Sequence, residues 1–573
     1  MSMGPGRGRE WRYREEDPTA TGDLIRRLNI PPILARILSA RGFRDHERAY
    51  VFLNPTLRSL HDPFLMLDME KGVERLSRAV EGQERMMIHG DYDADGITST
   101  ALLLRALGYR EGNKLLVYHL PSRFGEGYGL SGAAVERAGE LGCTLIVTVD
   151  CGITAVEEAE HCRELGIDLI ITDHHEPKEM LPPALAVIDP KRAGDPYPFK
   201  ELAGVGVAFK LLTGMVEKGH LKVDIRSYLD LVAIGTLADV VPLVDENRSL
   251  VHEGVRRLTE TTNPGLLSLM REMKLDPSKG IGSGDISFRI APRINSAGRM
   301  HHPDLALQLM ITDERIDADT FARGLNSMNF RRRAIGAKVQ EEVMRMLEET
   351  GRIEDPVLVC ADPGWEIGVL GIAANRVLDL VGRPCFVLTI EGGVAKGSGR
   401  GPEGFDLLGA LENCKGLLEE YGGHEKAVGI TIREEHLEEF RRRLTDHALR
   451  EYPTLEFQPR LDIDLDLPLA DLSMEQVESL DRMAPFGLEN PAPIFTTRNV
   501  LLDDIKSVGD GRHLKFRARG EQVIVDCIWF GMGELASVLS PGSTASIAGN
   551  ADIHEWGGMR DIQLKVIDML IEE

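Results

Sequence analysis

Short apolar runs and longer helical patterns alternate along the chain from about residue 84. The runs ERMMIH, TLIVTVD, DLIITD and ALAVID are typical of buried parallel strands, and TSTALLLRALG and AVEEAEHCRELG repeat apolar residues at helical spacing. Gly142 and Gly166 stand where helices are expected to end before the next strand. This alternation predicts an α/β domain built on a parallel sheet.

Two further patterns follow. Helical periodicity covers about residues 303 to 350 and ends before Asp355-Pro356, so we interpret it as a connecting helix. The next runs are DPVLVC, GVLGIAANRVLDLVG, PCFVLTI, FDLLGALENC, AVGITI and EEHLEEFRRRLTDHAL, which predict a separate α/β domain.

Beyond about residue 456 the pattern changes to short strands separated by glycine-containing turns. The runs RLDIDLDL, HLKFRAR, QVIVDCIWF, ASIAGNADIH and DIQLKVIDML predict a small β-barrel. We therefore expect three domains, with bounds 1–340 (an N-terminal segment, the first α/β domain and the connecting helix), 341–455 and 456–573.

Composition indicates a globular chain. Hydrophobic residues make up 43% and charged residues 28% of the 573 positions, unlike a disordered or membrane-embedded protein. No apolar run is long enough to span a bilayer, and the stretch MSMGPGRGREWRYREEDPT has no signal-peptide core, so we predict a cytoplasmic protein without a membrane contact. The seven cysteines form no CxxC pair, and we expect reduced thiols.

The charge balance limits any nucleic-acid binding to a local surface. The chain has 67 basic and 91 acidic residues, a net charge of −24, which argues against a protein covered in basic charge. Part of this acidity is explained if the acids bind metal ions, because a polyanion then meets divalent cations. The net charge therefore does not exclude a nuclease.

The residues that follow the predicted strands are almost all of metal-ligand types. Ligands of parallel sheets bind outside the carboxyl ends of the strands. The first run ends at His89 and is followed by Asp91, Asp93 and Asp95, the second ends at Asp150, and the third ends at Asp173 and is followed by His174 and His175. A further acid, Asp239, interrupts the apolar segment LVAIGTLADVVPL, where a buried carboxylate requires a partner such as a cation.

Each of these residues has an ordinary interpretation when it is taken alone. The DxDxD segment also fits a solvated turn or a single Ca²⁺ loop, Asp150 a helix cap, the two histidines a core or surface pair, and Asp239 a cap or an ion pair. Together, on successive strands, these alternatives become improbable. A set dominated by carboxylates suits Mn²⁺ or Mg²⁺ better than Zn²⁺, and two such ions catalyse phosphoester hydrolysis.

Three polar segments further along offer phosphate contacts. Arg293, Asn295 and Arg299 fit bidentate phosphate binding, with surface ion pairs as the alternative. We interpret residues 397–400 (GSGR) and 422–424 (GGH) as glycine turns that let the backbone approach a phosphate, although such turns are common. For the arginines at 331–333, a solvated helix face is favoured over a nucleic-acid path.

Ten ordered motifs carry a family resemblance over most of the chain. They are GDYDADG, VDCG, TDHH, LAGVGVAFKL, LVAIGTLADVVPL, RINSAGR, GVLGIAANR, GSGR, GGH and APFGLENPAPIF. With these motifs the chain resembles the DHH phosphoesterase superfamily and, within it, the exonucleases specific for single-stranded DNA. The resemblance implies an α/β fold with a parallel-sheet DHH domain, a DHH-associated α/β domain across a cleft, and a C-terminal barrel of the oligonucleotide-binding (OB) type.

The resemblance also implies roles for individual residues. The metal ligands would be Asp93, Asp95, Asp150, His174 and Asp239, with Asp150 bridging two Mn²⁺ or Mg²⁺ ions and with Asp91 and His89 as additional ligands. His175 would contact the scissile phosphate, which Arg293, Asn295 and Arg299 would orient. Ser398, Arg400, Gly422, Gly423 and His424 would hold the nucleotide. The implied activity is processive 5′ to 3′ release of mononucleotides during DNA recombination and repair.

Two departures and two alternatives accompany this expectation. Trp365 is followed by Glu366 where the family often has a Trp-His pair, and no segment follows the barrel, so we expect no further carboxyl-terminal domain.

A phosphodiesterase of short oligonucleotides or cyclic dinucleotides would need no barrel. A non-catalytic DHH-fold scaffold would have lost its acids. The expected partners of a monomeric enzyme are single-stranded DNA, a single-strand-binding protein and a helicase.

Overall fold

The computed structural model describes residues 9–110, 112, 114–123, 125–454, 459–556 and 559–572. It divides into two compact units. The first comprises Met1–Asn54, Ala334–Ala484 and Ala492–Glu573, and the second comprises Pro55–Arg333 and Pro485–Pro491. The expected domain boundary between residues 455 and 456 lies outside the described residues. Residues 1–8, the start of the stretch without a signal-peptide core, also lie outside them.

The N-terminal segment consists of one strand and three helices. These are β1 (Glu10–Tyr13), α1 (Pro18–Leu28), α2 (Pro32–Ala40) and α3 (His46–Leu53). Strand β1 pairs in parallel with the strand Arg460–Ile463, so the segment belongs to the first unit. The domain bounds 1–340, 341–455 and 456–573 stay a prediction.

The second unit contains a five-stranded parallel sheet in the order β3-β2-β4-β5-β6. Its strands are β2 (Met86–His89), β3 (Leu116–His119), β4 (Leu145–Val149), β5 (Asp168–Thr172) and β6 (Ala186–Ile188), as the alternating pattern predicted except for β3. Strand β3 lies at the edge and is only partly buried, and the apolar run LLVY at residues 115–118 carried its signal without being assigned to a strand. Helices cover both faces, as the fold class requires.

The helices of this unit follow in chain order. They are α4 (Met69–Glu81), α5 (Ala94–Ala106), α6 (Gly132–Glu140), α7 (Val156–Glu164), α8 (Gly204–Glu217), α9 (Leu229–Ala238), α10 (Asp245–Thr259), α11 (Pro264–Glu272), α12 (Ser283–Asp285), α13 (Ala291–Met300) and α14 (Asp304–Ile311). A π-helical segment, Ile286–Ile290, joins α12 to α13. Such widened turns are rare and occur often at functional sites.

A single helix of 35 residues, α15 (Arg315–Glu349), begins in the second unit and ends in the first. The predicted connecting helix is therefore present. The described helices include none that is long and apolar enough to cross a membrane. All seven cysteines are buried and none forms a disulfide.

The first unit has a second α/β sheet in the order β10-β11-β9-β8-β7. Its elements are β7 (Leu358–Asp362), α16 (Leu370–Val381), β8 (Cys385–Glu391), β9 (Val394–Arg400), α17 (Leu407–Glu412), β10 (Leu418–His424), β11 (Ala427–Arg433) and α18 (Leu437–Glu451). Only β7 and β8 run parallel; the other pairs are antiparallel.

The interpretation of GSGR and GGH as glycine turns was wrong, because both segments lie in strands β9 and β10. The glycines are explained by close packing within the sheet. A Cβ on Gly397 would lie 2.2 Å from the Val387 carbonyl oxygen, and one on Gly423, whose φ is +134°, would lie 2.3 Å from the Ala427 carbonyl oxygen. These positions therefore exclude larger residues for steric reasons.

The carboxyl-terminal part forms the predicted barrel. Its elements are β12 (Arg460–Ile463), β13 (Leu465–Asp466), α19 (Met474–Ser479), β14 (Phe495–Val508), β15 (His513–Arg519), β16 (Ile524–Trp529), β17 (Thr544–Trp556) and β18 (Met559–Ile571). The pairings run β14-β15-β16-β18-β17, and β17 pairs again with β14, which closes the sheet. The pattern missed β14, whose alternation is interrupted by register shifts between Thr497 and Val500 and between Asp503 and Lys506.

Candidate metal centre

The carboxyl ends of β2, β4 and β5 form one edge of the parallel sheet in the second unit. Because these three strands are neighbours, the residues that follow them come together. After β2 the chain turns at once into α5, where Asp93 is the N-cap and its Oδ1 accepts from the backbone amides of Asp95 at 2.9 Å and Gly96 at 3.1 Å. A Cβ on Gly96 would lie 2.5 Å from the Asp91 backbone nitrogen, so this tight turn requires glycine.

Three groups of residues could each bind a metal ion, because the potential ligand atoms within each group lie within 4.8 Å of one another. They are Asp150, His174 and His175; Asp95, His174 and Asp239; and Asp91, Asp93 and Asp150. The shared members His174 and Asp150 link the groups into one cluster. All the predicted ligands except His89 belong to it, and so does His175, for which a phosphate contact was predicted.

Several buried atoms of the cluster have no hydrogen-bond partner in the described structure. They are Asp150 Oδ1, His174 Nε2 and Asp91 Oδ1, and Nε2 of His89, beside the cluster, is likewise without a partner there. His174 Nε2 lies 3.1 Å from Asp150 Oδ1, without the geometry of a hydrogen bond. Since unpaired buried polar atoms are costly and rare, this donor set fits bound cations.

Electrostatics support the same assignment. Burial, followed by the neighbouring carboxylates, raises the pKa of Asp91, Asp95 and Asp150, and raises that of Asp239 to about 6. Burial and the adjacent His175 lower the pKa of His174 to about 3, which keeps its ring neutral as a metal ligand must be. Crowded carboxylates with a neutral imidazole fit Mn²⁺ or Mg²⁺.

Two carboxylates of the cluster are held in different ways. Asp95 accepts backbone hydrogen bonds at the start of α8, from Gly204 at 2.6 Å and Val205 at 2.9 Å. Asp150 has a φ of +61°, an uncommon conformation for a residue other than glycine and one that recurs at functional sites. Gly204 leaves room for it, because a Cβ there would lie 2.5 Å from Asp150 Oδ1.

Asp173 positions the two histidines and is absent from the three ligand groups. Its Oδ1 accepts from the backbone amide of His174 at 2.7 Å and from Nδ1 of His175 at 2.8 Å, and its Oδ2 accepts from the Ile153 amide at 2.9 Å. Burial, the largest single effect, opposes a charge on His175, but the hydrogen bond to Asp173 and the charges of nearby carboxylates together outweigh it and raise the pKa of His175 to about 9. His175 is therefore a cation at neutral pH, which suits a contact with phosphate.

Sequence reasoning missed two residues at this edge. The Tyr128 hydroxyl lies 2.9 Å from His175 Nδ1, and Tyr128 comes from an irregular segment that no pattern marks. Asp189 follows β6 as the other acids follow their strands; it is buried, its Oδ2 has no hydrogen-bond partner in the described structure, and burial raises its pKa to about 7. The predicted strand ALAVID ends at Asp189, so the sequence already marked this acid as a strand-end residue.

His89 lies beside the cluster and outside its three ligand groups. Its ring is fully buried, lies 5.3 Å from the His119 ring, and has its Nδ1 3.7 Å from Cys151 Sγ. Burial, then the charge of His119, lowers its pKa to about 3. Its role as an additional ligand stays a prediction.

The segment RINSAGR lies on helix α13 and packs against the loop that carries the first acids. Asn295 Oδ1 accepts from the Ala94 backbone amide at 2.8 Å, and a Cβ on Gly298 would lie 2.4 Å from the Tyr92 carbonyl oxygen. Arg293 Nε donates to Asn326 Oδ1 on α15 at 2.9 Å. The predicted phosphate contacts of Arg293, Asn295 and Arg299 remain predictions, whereas Asn295 has a visible structural contact with α5.

We expect Asn295→Ala to destabilise the second unit and to weaken metal binding. The substitution leaves the Ala94 amide without its acceptor, which costs about 1–3 kcal/mol, and loosens the turn that holds Asp93. Thermal melting with and without Mn²⁺ measures both effects. Asn375→Ala is the matched control, because that exposed side chain has a single long hydrogen bond within the described residues, to Asp379 at 3.3 Å. Equal melting temperatures for the two variants would contradict the expectation.

The predicted nucleotide-binding residues lie together in the first unit. In the register of the sheet, Ser398 is opposite Gly429 and Arg400 is opposite Ala427, which pairs on its other side with His424. Gly422 and Gly423 precede His424 on β10. A Cβ on Gly371, in α16, would lie 2.7 Å from Arg400 Nη2 and 3.3 Å from Ser398 Oγ, so both side chains lie against the start of that helix. Their function stays a prediction.

Trp365-Glu366 stands at the position of the family's Trp-His pair. Trp365 is buried and its Nε1 donates to Glu342 on α15 at 2.9 Å. Glu366 is exposed. The tryptophan therefore has a packing role that is independent of the residue after it.

Comparisons with known proteins agree with this architecture. Three family models match in chain order: the DHH family N-terminal domain at residues 85–236, the DHHA1 domain at 354–448, and the RecJ OB domain at 463–568. The chain is 38% identical to the single-stranded-DNA-specific exonuclease RecJ of Bacillus subtilis (strain 168) over 566 residues, which is 98% of this chain and 71% of the relative.

Solved structures show the same similarity. A crystal structure of RecJ in complex with Mn²⁺ from Thermus thermophilus has a TM-score of 0.82 and 31% identity, with 98% of this chain and 80% of that chain covered. A second structure of RecJ from that organism, in complex with Mg²⁺, has a TM-score of 0.77 and 28% identity and covers 98% and 79% of the two chains. The chain belongs to the RecJ family of DHH proteins.

Proposed function

We propose that this protein is a metal-dependent exonuclease that removes 5′-mononucleotides from single-stranded DNA in the 5′ to 3′ direction. The observation that carries the proposal is the buried cluster of five carboxylates and two imidazoles at the edge of a parallel sheet. The RecJ relatives are described as single-stranded-DNA-specific exonucleases, and structures of RecJ hold Mn²⁺ and Mg²⁺. The direction of digestion and a role in recombination and repair belong to the proposal.

Each group at the centre has a distinct part in the proposal. Asp93, Asp95, Asp150, His174 and Asp239 would hold two divalent ions, with Asp91 of the same cluster and the neighbouring His89 as further ligands. When bound, such ions polarise the phosphate, supply a nucleophilic hydroxide and stabilise the leaving oxygen. Cationic His175, fixed by Asp173, binds a phosphate oxygen, and Arg293, Asn295 and Arg299 orient the phosphate.

In this proposal, residues of the first unit bind the nucleotide. Ser398 and Arg400 offer a hydroxyl and a guanidinium to a terminal phosphate, and Gly422, Gly423 and His424 expose backbone and imidazole beside them. The OB-type barrel tracks the rest of the strand. We further propose that the enzyme is a cytoplasmic monomer that works with a single-strand-binding protein and a helicase.

The alternatives are disfavoured by particular features. A phosphodiesterase of short oligonucleotides or cyclic dinucleotides has no use for the five-stranded barrel. A non-catalytic scaffold has no reason to retain a buried cluster of mutually repelling carboxylates, which is costly without a cation.

Digestion of end-labelled DNA tests the function. We expect immediate release of mononucleotides from 5′-labelled single strands with Mn²⁺ or Mg²⁺, slow loss of a 3′ label, and no cleavage of blunt duplex or of any substrate in EDTA. Cleavage confined to a dinucleotide would instead establish the small phosphodiesterase. If no substrate is cleaved in a metal-dependent way, the result would favour the non-catalytic scaffold.

A further inference from the structure

Two strongly exposed aromatic rings lie in the second unit, and the assignments above use neither of them. Phe288, in the π-helical segment, is 83% exposed, and Phe330, on α15, is 61% exposed. Phenylalanine has no polar group to hydrate, so exposed rings that cluster with charged groups indicate a binding surface.

Arg293 connects the two elements that carry these rings. Phe288 precedes Arg293 by about one turn of the widened helix, and Arg293 Nη1 donates to the Arg289 carbonyl oxygen at 2.8 Å. Arg293 Nε reaches across to Asn326 on α15. Phe330 follows Asn326 by four residues and therefore lies on the same face of α15.

The surface between the rings carries excess positive charge. The hydrogen bonds that Arg293 donates to Asn326 and Arg289 end on neutral oxygens. Partial burial, then the nearby guanidinium groups of Arg289 and Arg333, lowers the pKa of Arg293. Arg289 pairs with Asp285 at 2.8 Å, which balances part of this charge. A bound anion would relieve the remaining repulsion.

One helical stretch connects the elements of this surface to the loop that carries the first metal-centre acids. Asn295, two residues beyond Arg293, accepts the backbone hydrogen bond from Ala94 beside Asp93. Phe288 is seven residues before Asn295, a separation of about 10 Å at the ordinary helical rise. A strand whose phosphate reaches the metal ions is therefore close enough to lie across the rings.

We propose that Phe288 and Phe330 stack on the bases of a single-stranded nucleic acid while Arg293 and Arg333 contact its phosphates. Stacking on an aromatic ring is tolerant of sequence, because every base has a π-face. It also requires an unpaired base, so the surface contributes to selection of single strands over duplex. This inference rests on the proposed function and assigns part of its substrate path.

Binding of a labelled oligonucleotide tests the surface. Fluorescence anisotropy of fluorescein-labelled oligodeoxythymidylate is measured with the full chain in EDTA, so that no cleavage occurs. We expect Phe288→Ala and Phe330→Ala each to raise Kd about ten-fold, the effect of losing one stacked base. Ile316→Ala is the matched control: Ile316 is 81% exposed on α15 and lies outside the surface, so its Kd stays that of the parent.

Salt dependence separates the rings from the arginines. The phenylalanine variants keep the parent slope of log Kd against log salt, whereas Arg333→Gln lowers that slope by about 0.7, the value for one phosphate contact on a single strand. Phe288→Trp restores binding, and its tryptophan fluorescence is quenched by the oligonucleotide. Melting temperatures equal to the parent's confirm that the variants fold.

The outcomes distinguish this inference from the proposed function. Parent-like Kd values for the Phe288→Ala, Phe330→Ala double variant overturn the stacking surface, even if the parent chain digests DNA. An equal loss of affinity for blunt duplex also overturns it, because paired bases cannot stack on the rings. A parent that binds the oligonucleotide through these rings but cleaves nothing with Mn²⁺ contradicts the nuclease and leaves the surface intact.

Discussion

Asp150→Asn is expected to abolish hydrolysis while the protein remains folded. Asp150 contributes to two of the three ligand groups, so its loss removes the carboxylate expected to bridge the ions. Losing several kcal/mol of transition-state stabilisation reduces the rate at least about 1,000-fold. Asparagine tolerates the positive φ of +61° that alanine would adopt only with strain.

Stability provides the control for that variant. The neighbours Asp95, Asp93 and Asp239 repel a charge on Asp150, and its Oδ1 has no hydrogen-bond donor in the described structure. The metal-free variant should therefore melt at or above the temperature of the metal-free parent, and Mn²⁺ should no longer raise that temperature. Parent-like digestion of single-stranded DNA by the folded variant, in Mn²⁺, would remove Asp150 from the site.

Asp95→Asn is expected to lose activity to the same extent but also to lose stability. Both oxygens of Asp95 accept backbone hydrogen bonds, from Gly204 and Val205. An asparagine NH₂ group would face one of these N–H donors, which costs about 1–3 kcal/mol for the amide left unpaired.

The two asparagine variants are best compared with each other without metal. Each variant removes one carboxylate from the same cluster, so both relieve the repulsion between carboxylates. The difference between their melting temperatures therefore measures the hydrogen bonds that Asp95 accepts from the Gly204 and Val205 amides. We expect Asp95→Asn to melt below Asp150→Asn, by about 2–4 °C per kcal/mol for a unit of this size. Melting at the same temperature would mean that the start of α8 does not depend on Asp95.

The sheet that carries the site was predictable because its chemistry and its pattern coincide. Buried parallel strands give continuous apolar runs, and in β2, β4 and β5 each run stops at an acid or histidine. The carboxyl ends of parallel strands lie at one edge of a sheet, so the clustering of Asp93, Asp150 and His174 could be expected from their positions at strand ends, whereas the order of the strands could not.

Other features depend on tertiary contacts that no local pattern encodes. Tyr128 reaches His175 from an irregular segment. The glycines of β9 and β10 resembled turn residues, because the sequence does not show that a neighbouring strand leaves no room for a side chain. A Cβ on Gly397, for example, would lie 2.2 Å from a carbonyl oxygen of the next strand. The contact between Asn295 and Ala94 joins residues 201 positions apart.

The pairing of β1 with β12 also has a consequence for synthesis of the chain. Residues 10–13 find their partners only at 460–463, and the Trp11 indole donates to Asp568 at 2.9 Å across 557 positions. Domains complete during translation in order of emergence, and distant contacts form last. The part of the second unit that spans residues 55–333 can therefore fold on the ribosome while the earliest residues still lack their partners, and the first unit closes only after residue 568 has been made.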